Sequence, residues 1–130
     1  MIPRYRAWDT TNKEMFKDTF SITESGQVVV VEQEDVMCPP DYVFVDNLVI
    51  MQSTGLKDKN GKEIFEGDIL DYNGKKALVR WHGSYASFIY RFADELQQRN
   101  PEWKPLYLAY MKCECIGNIY ENQDLLEDKE

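Results

Sequence analysis

A chain of 130 residues that is 43% hydrophobic and 13% aromatic carries enough apolar material for one packed domain or two small lobes, which argues against wholesale disorder. Its formal net charge of −8 argues against a protein that grips nucleic acid through bulk positive charge. No apolar run approaches the roughly 20 residues of a membrane-spanning helix, and the basic start Met1 to Arg6 lacks the apolar stretch of a secretory signal, so a cytoplasmic protein with no membrane role is expected.

The charge is unevenly spread. Residues 1–50 hold 4 basic and 9 acidic residues, a net −5. Residues 51–120 hold 10 and 9, a net +1, and residues 121–130 hold 1 and 5, a net −4. The pattern is a near-neutral module between two acidic flanks.

Arg4-Tyr5-Arg6-Ala7-Trp8-Asp9 alternates polar and apolar residues as a half-buried strand does. Thr10 to Lys13 is a turn, and Glu14-Met15-Phe16 returns as the second arm of a hairpin. Gln27-Val28-Val29-Val30-Val31 is a β-branched strand. Cys38-Pro39-Pro40-Asp41 is a loop, because proline removes a ladder donor, and it marks a lobe boundary. Tyr42 to Met51 is β-prone and broken at Asp46-Asn47; the chain then turns sharply through residues 51–70.

Lys59-Asn60-Gly61-Lys62 and Asn73-Gly74 carry hairpin signals, since Asn and Gly tolerate positive φ. The second joins a strand over 68–72 to one over 75–81. A turn at His82-Gly83-Ser84 leads to a strand over 85–90. Ala93 to Arg99 reads as a short helix stopped by Asn100-Pro101. Leu106 to Lys112 and Glu114 to Ile119 read as the last strands, and Asn122 caps a final turn through Leu126. Short strands joined by tight turns after residue 50 imply a small antiparallel barrel, and the absence of βαβ alternation excludes a parallel sheet.

Three blocks together resemble the YopX family of phage and prophage proteins. They are Arg6-Ala7-Trp8-Asp9, the run Met51 to Leu70 with its phrases Thr54 to Ile64 and Glu66-Gly67-Asp68-Ile69, and Cys115-Ile116-Gly117-Asn118-Ile119-Tyr120-Glu121-Asn122. The resemblance implies a mainly β fold. Residues 1–50 would be an N-terminal β-rich portion, too small to fold alone. Residues 51–130 would form a C-terminal small barrel of the SH3 type, with one or two short helices, and Ala93 to Lys104 would be a variable insertion. It carries no activity, ligand or catalytic residue over to this chain.

Catalytic and ligand motifs do not fit. Gly55 and Gly61 are separated by five residues and Lys62 is followed by Glu63, so this is not a phosphate loop. Asp58 and Asn60 alternate, but Gly61 stands at the fourth position of a calcium loop and not the sixth. Glu63, Glu66, Asp68 and Asp71 read as turn caps and solvated faces rather than a catalytic pair. His82, near Ser84 and Ser87, reads as an exposed turn residue with no nucleophile elbow. Cys38, Cys113 and Cys115 read as reduced, buried thiols, since a Cys-x-Cys pair alone cannot make a tetrahedral metal site. No catalytic residue, metal or cofactor is expected.

Aromatics cluster around the turn at residues 82–84. Trp81 is expected in the core with Ala77 and Val79, leaving Lys76, Leu78 and Arg80 on the other face. Tyr85 and Tyr90 fall on opposite faces, so at least one is partly exposed. Trp81, Tyr85, Tyr90 and Arg80 are the candidate binding residues. The expected function is a non-enzymatic binding or regulatory module acting on a protein partner. The alternative is a nucleic-acid-binding module, with Arg80, Arg91, Lys75 and Lys76 beside the aromatics. A third reading, an enzyme, rests on nothing beyond the scattered carboxylates. Open strand edges point to a homo-oligomer.

Overall fold

The computed structural model describes residues 4–17, 20–32, 37, 41–96 and 103–126. Residues 38–40 of the loop expected at residues 38–41, and with them Cys38, lie outside these, as does the second half of the helix expected over 93–99, while Asp41 opens a strand rather than closing the loop. The chain divides into two compact units, one of Tyr5–Met51 and one of Met1–Arg4 with Gln52–Glu130.

In the first unit β1 (Tyr5–Asp9) and β2 (Glu14–Phe16) form the expected hairpin, with Trp8 opposite Met15. Asp9 closes it. Its carboxylate accepts the N–H of Thr11 at 2.9 Å and of Asn12 at 3.0 Å, and the Nδ2 of Asn47 at 2.7 Å. The Asn12 N–H is the main cause that holds the Asp9 carboxyl below its ordinary range, against the opposing cost of burial. Three further strands, β3 (Phe20–Ile22), β4 (Val28–Glu32) and β5 (Asp41–Val45), make an antiparallel sheet in that order. Phe20-Ser21-Ile22 is too short for its alternation to show in sequence, and β3 was not anticipated. The break at Asp46-Asn47 stands as expected, and Thr10 N–H reaches Asn47 O at 3.0 Å.

After the break the chain does not turn at residue 51. It continues as a ten-residue strand, β6 (Leu48–Lys57). Gly55 at φ +77° allows this. It sits in a bulge where the register with β7 (Glu63–Phe65) shifts between Ser53 and Lys57.

The second unit is built on β8 (Asp68–Tyr72), β9 (Lys75–His82), β10 (Ser87–Phe92), β11 (Lys104–Pro105) and β12 (Cys113–Asn118). Their order is β11-β10-β9-β8-β12, all antiparallel, and the sheet curls into a half-barrel. The fold is mainly β, as expected. Asn73 at φ +52° and Gly74 at φ +89° make the tight β8–β9 turn.

Its core gathers Ile64, Leu70, Ala77, Val79, Tyr90, Phe92, Leu106, Ala109 and Cys113. Successive strand residues point to opposite faces, so the burial of Ala77, Leu78 and Val79 in a row requires cover on both sides. Leu78, on the other face from Ala77 and Val79 as expected, is therefore covered there: with Leu96, Ile119 and Leu126 it lines a groove of about 460 Å³.

The helical content is also different. Gln123–Leu126 is the final turn expected after Asn122, but Ala93–Glu95, Leu106–Leu108 and Tyr110–Lys112 are single 3₁₀ turns. The strand expected over 106–112 is absent because Leu106 and Ala109 are drawn into the core three residues apart, a helical and not a pleated spacing. Tyr107, Leu108 and Met111 are left exposed.

Candidate binding surface

The β9–β10 hairpin carries three of the four candidate residues at or near its tip. Trp81 pairs in register with Phe88, and His82 with Ser87. The turn closes with Tyr85 N–H to His82 O at 3.2 Å and Ala86 N–H to Gly83 O at 3.3 Å, with Ala86 at φ +48°. Tyr85 thus belongs to the turn, and the strand starts at Ser87 rather than 85.

Trp81 is 45% exposed, which corrects the expectation of a core residue. It lies on the face of Ala77 and Val79, as alternation requires. However, both Arg80 and Trp81 are exposed, so β9 has run past the elements that cover its middle. The indole packs edge-on against Phe88 with centroids 5.0 Å apart. Its backbone N–H donates to Glu66 Oε2 at 3.3 Å, tying the tip to the β7–β8 turn. Gly67, at φ +87° in that turn, donates its N–H to Val79 O at 2.9 Å.

Tyr85 is 72% exposed and stacks on His82 at 4.4 Å. His82 is half-buried under that ring, not open as expected, and its Nδ1 is buried with no hydrogen-bond partner among the described residues. Tyr90 is 7% exposed and stacks on Tyr72 at 6.2 Å. Burial, with Tyr72 and Cys113 beside it, pushes its hydroxyl pKa up. Tyr90 is a core residue and does not join the others. Arg80, Trp81 and Tyr85 remain as a polar-aromatic surface on a stiff hairpin.

The carboxylates weighed for chemistry are engaged with neighbouring donors. Asp68 is 1% exposed and accepts the Phe65 N–H at 2.8 Å. Asp71 accepts the Gly74 N–H at 2.8 Å. Glu63 accepts the Ser53 hydroxyl and pairs with Arg4 at 3.2 Å. Asp58 does the most. Its Oδ1 accepts the N–H of Asn60 at 2.9 Å and of Lys62 at 2.8 Å, and its Oδ2 accepts the N–H of Cys115 at 2.8 Å, 57 residues away. Burial pushes this carboxyl up, but the three donors and the Lys62 charge outweigh it and hold the pKa below 3.8. Lys59 N–H adds a bond to Cys113 O at 2.9 Å, so the β6–β7 turn blocks the open edge of β12.

The closing turn has the same character. Asn118 Oδ1 accepts the N–H of Tyr120 and of Glu121, and its own N–H donates to Asn122 Oδ1 at 3.2 Å. A Cβ on Gly117 would stand 2.5 Å from that Asn122 oxygen, which explains the glycine. Reading by sequence missed Asp58 and Asn118 as anchors. The Asp58-x-Asn60-Gly61 spacing is an Asx-turn signal that could have found the first. Cys113 is buried and Cys115 half-buried; desolvation pushes both thiols up to about 11, so they stay protonated. Among the described residues, no three His, Cys, Asp or Glu side chains are placed to hold a metal ion.

The residues that anchor these turns are those of the three blocks. A family profile described as "YopX protein" matches residues 4–127. The chain belongs to the YopX family. This YopX chain is also similar to a solved structure, protein EF1440 from Enterococcus faecalis, at 29% identity and a TM-score of 0.62 over 98% of this chain and 99% of that one. No curated protein sequence matches it. Thr54-Gly55, Asp58, Gly61, Glu66-Gly67-Asp68 and Gly117-Asn118 through Asn122 all fall within the matched residues, and in this structure they form bulges, turns and staples.

Proposed function

We propose that this YopX chain is a phage- or prophage-encoded, non-enzymatic binding module that regulates a protein partner in the bacterial cytoplasm. The observation that carries the reading is the exposed tip of the β9–β10 hairpin, where Trp81, near the end of a strand whose middle is buried, is 45% exposed and Tyr85, in the turn, is 72% exposed. Large aromatics held rigidly at a surface supply contact area at little entropic cost. The commitment of Asp58, Asp68 and Asp71 to backbone donors supports a role without acid–base chemistry. Among the described residues no helix is long and apolar enough to cross a membrane.

Arg80, exposed beside Trp81, favours nucleic acid as the second reading, since bases stack on aromatics next to a cation. Arg91 leaves that set because it is 4% exposed. The test is affinity purification of the full chain from its bacterial host, with and without nuclease, beside a Trp81→Ala/Tyr85→Ala variant. A protein captured through nuclease treatment and lost with the variant is the expected result. Partners that vanish with nuclease would replace the first reading by the second. The same partners on both proteins would remove the tip from the argument.

A further inference from the structure

The five-stranded sheet of the half-barrel and the three-stranded sheet β3-β4-β5 differ in how their edges end. In the half-barrel, β12 is closed by Asp58 and Lys59, and β10 is partly covered by β11, where Pro105 faces Ile89. In the other unit, β5 pairs on one side only among the described residues, with Val28 opposite Val45 and Val30 opposite Val43. Its sequence Asp41-Tyr42-Val43-Phe44-Val45 contains neither lysine nor proline. Val43 is 37% and Phe44 66% exposed. At the Val28–Val45 end of the β4–β5 pair a groove of about 460 Å³ is lined by Gly26, Gln27 and Val28 on one side and by Phe44, Val45, Asp46 and Leu48 on the other.

The charge around this edge selects its occupant. Residues 5–51 contain 3 basic and 9 acidic residues, a net −6. Arg6 and Asp9 are both buried, at 7% and 6% exposure, so their burial leaves that balance unchanged. Asp46, exposed at the end of the strand, lines the groove. A second copy would bring another −6 to the same place, whereas a basic strand is attracted.

We propose that the outer edge of β5 takes up an extended, basic segment of a partner protein by strand addition, with main-chain bonds to β5 and an apolar side chain in the Phe44 groove. The proposal rests on the binding-module reading but uses a surface in the other unit from the hairpin tip.

The probe is a short synthetic peptide alternating valine and lysine, titrated into the full chain. Three readouts serve: fluorescence anisotropy, salt dependence, and amide hydrogen exchange. Saturable binding is expected, with slowed exchange at those amides of Val43 to Val45 that face away from β4 and an affinity at least about tenfold weaker at high salt, where Coulomb attraction is screened. The same peptide N-methylated along one edge loses its donors and is expected to bind at least about tenfold more weakly, the equivalent of about 1.4 kcal/mol. Asp46→Lys, an exposed change that leaves the fold intact, weakens the unmodified probe.

No saturable binding, equal binding of the N-methylated peptide, or protection away from β5 overturns the proposal. Protection of these amides by self-association without peptide overturns it in favour of a second copy. The readings separate cleanly: a host protein still captured through Trp81 while the peptide fails removes only strand addition, and the absence of any captured protein removes the binding-module reading itself.

Discussion

Removing the Asp58 carboxylate tests the claim that this residue holds the β6–β7 turn to the edge of β12. Asp58→Ala leaves three N–H groups without their acceptor, those of Asn60, Lys62 and Cys115. A hydrogen bond to a charged group contributes about 1.5–3 kcal/mol. The turn amides of Asn60 and Lys62, beside exposed residues, regain water and recover much of that, while the Cys115 N–H sits on a strand whose edge the turn covers. The expected loss is therefore about 3 kcal/mol, set mainly by Cys115. Urea unfolding followed by tryptophan fluorescence measures it. The pH dependence supplies the sign. The folded pKa lies below the ordinary value, so the stabilisation is complete above the unfolded pKa of about 3.9 and is lost as pH falls through the folded one. The gap between wild type and Asp58→Ala should thus be constant from pH 7 to about 5 and shrink below about 4. Exchange of the Cys115 amide should quicken in the variant. A loss below about 1 kcal/mol, or a gap unchanged down to pH 2, would refute the argument, because an accepted charged hydrogen bond could then not be what holds the turn.

Other substitutions probe the remaining anchors. Gly117→Ala places a Cβ 2.5 Å from Asn122 Oδ1 and should cost about 1–3 kcal/mol, much of it recovered in the Gly117→Ala/Asn122→Ala double variant; a mutant cycle with no coupling would contradict the packing. Gly74→Ala forces a side chain into φ +89° and should lower the unfolding midpoint, whereas an unchanged midpoint would mean that the turn relaxes. In a Cys38→Ser background Cys113 and Cys115 should resist a thiol reagent at pH 8 until urea unfolds the chain, since their pKa values are pushed up to about 11; rapid labelling of the native protein would show that the thiols are reachable and ionised.

Local order was readable wherever one residue type has one physical use. The Asn73-Gly74 turn, the β1–β2 hairpin and the break at Asp46-Asn47 follow from backbone preferences that act over a few residues, and the structure has all three. The mainly β class was legible for the same reason, since bulges and tight turns demand glycine, Asn or Asp at set positions, whereas the family was legible only as a resemblance of three blocks. Burial was not. Whether Trp81 lies in the core depends on how far along β9 its cover reaches, and the cover of Ala77 and Val79 on that face includes Ile64, Leu106, Ala109 and Cys113, all remote in the chain. The fate of Leu106 to Lys112 turned on Leu106 and Ala109 entering one core, a demand that outweighs the β propensity of the segment. Asp58 and Cys115 stand 57 residues apart, so no window of sequence contains their bond. Turn chemistry is local and survives in one dimension; burial, edge protection and the exposure of the hairpin tip are set by partners distant in the chain, and only the folded structure brings them together.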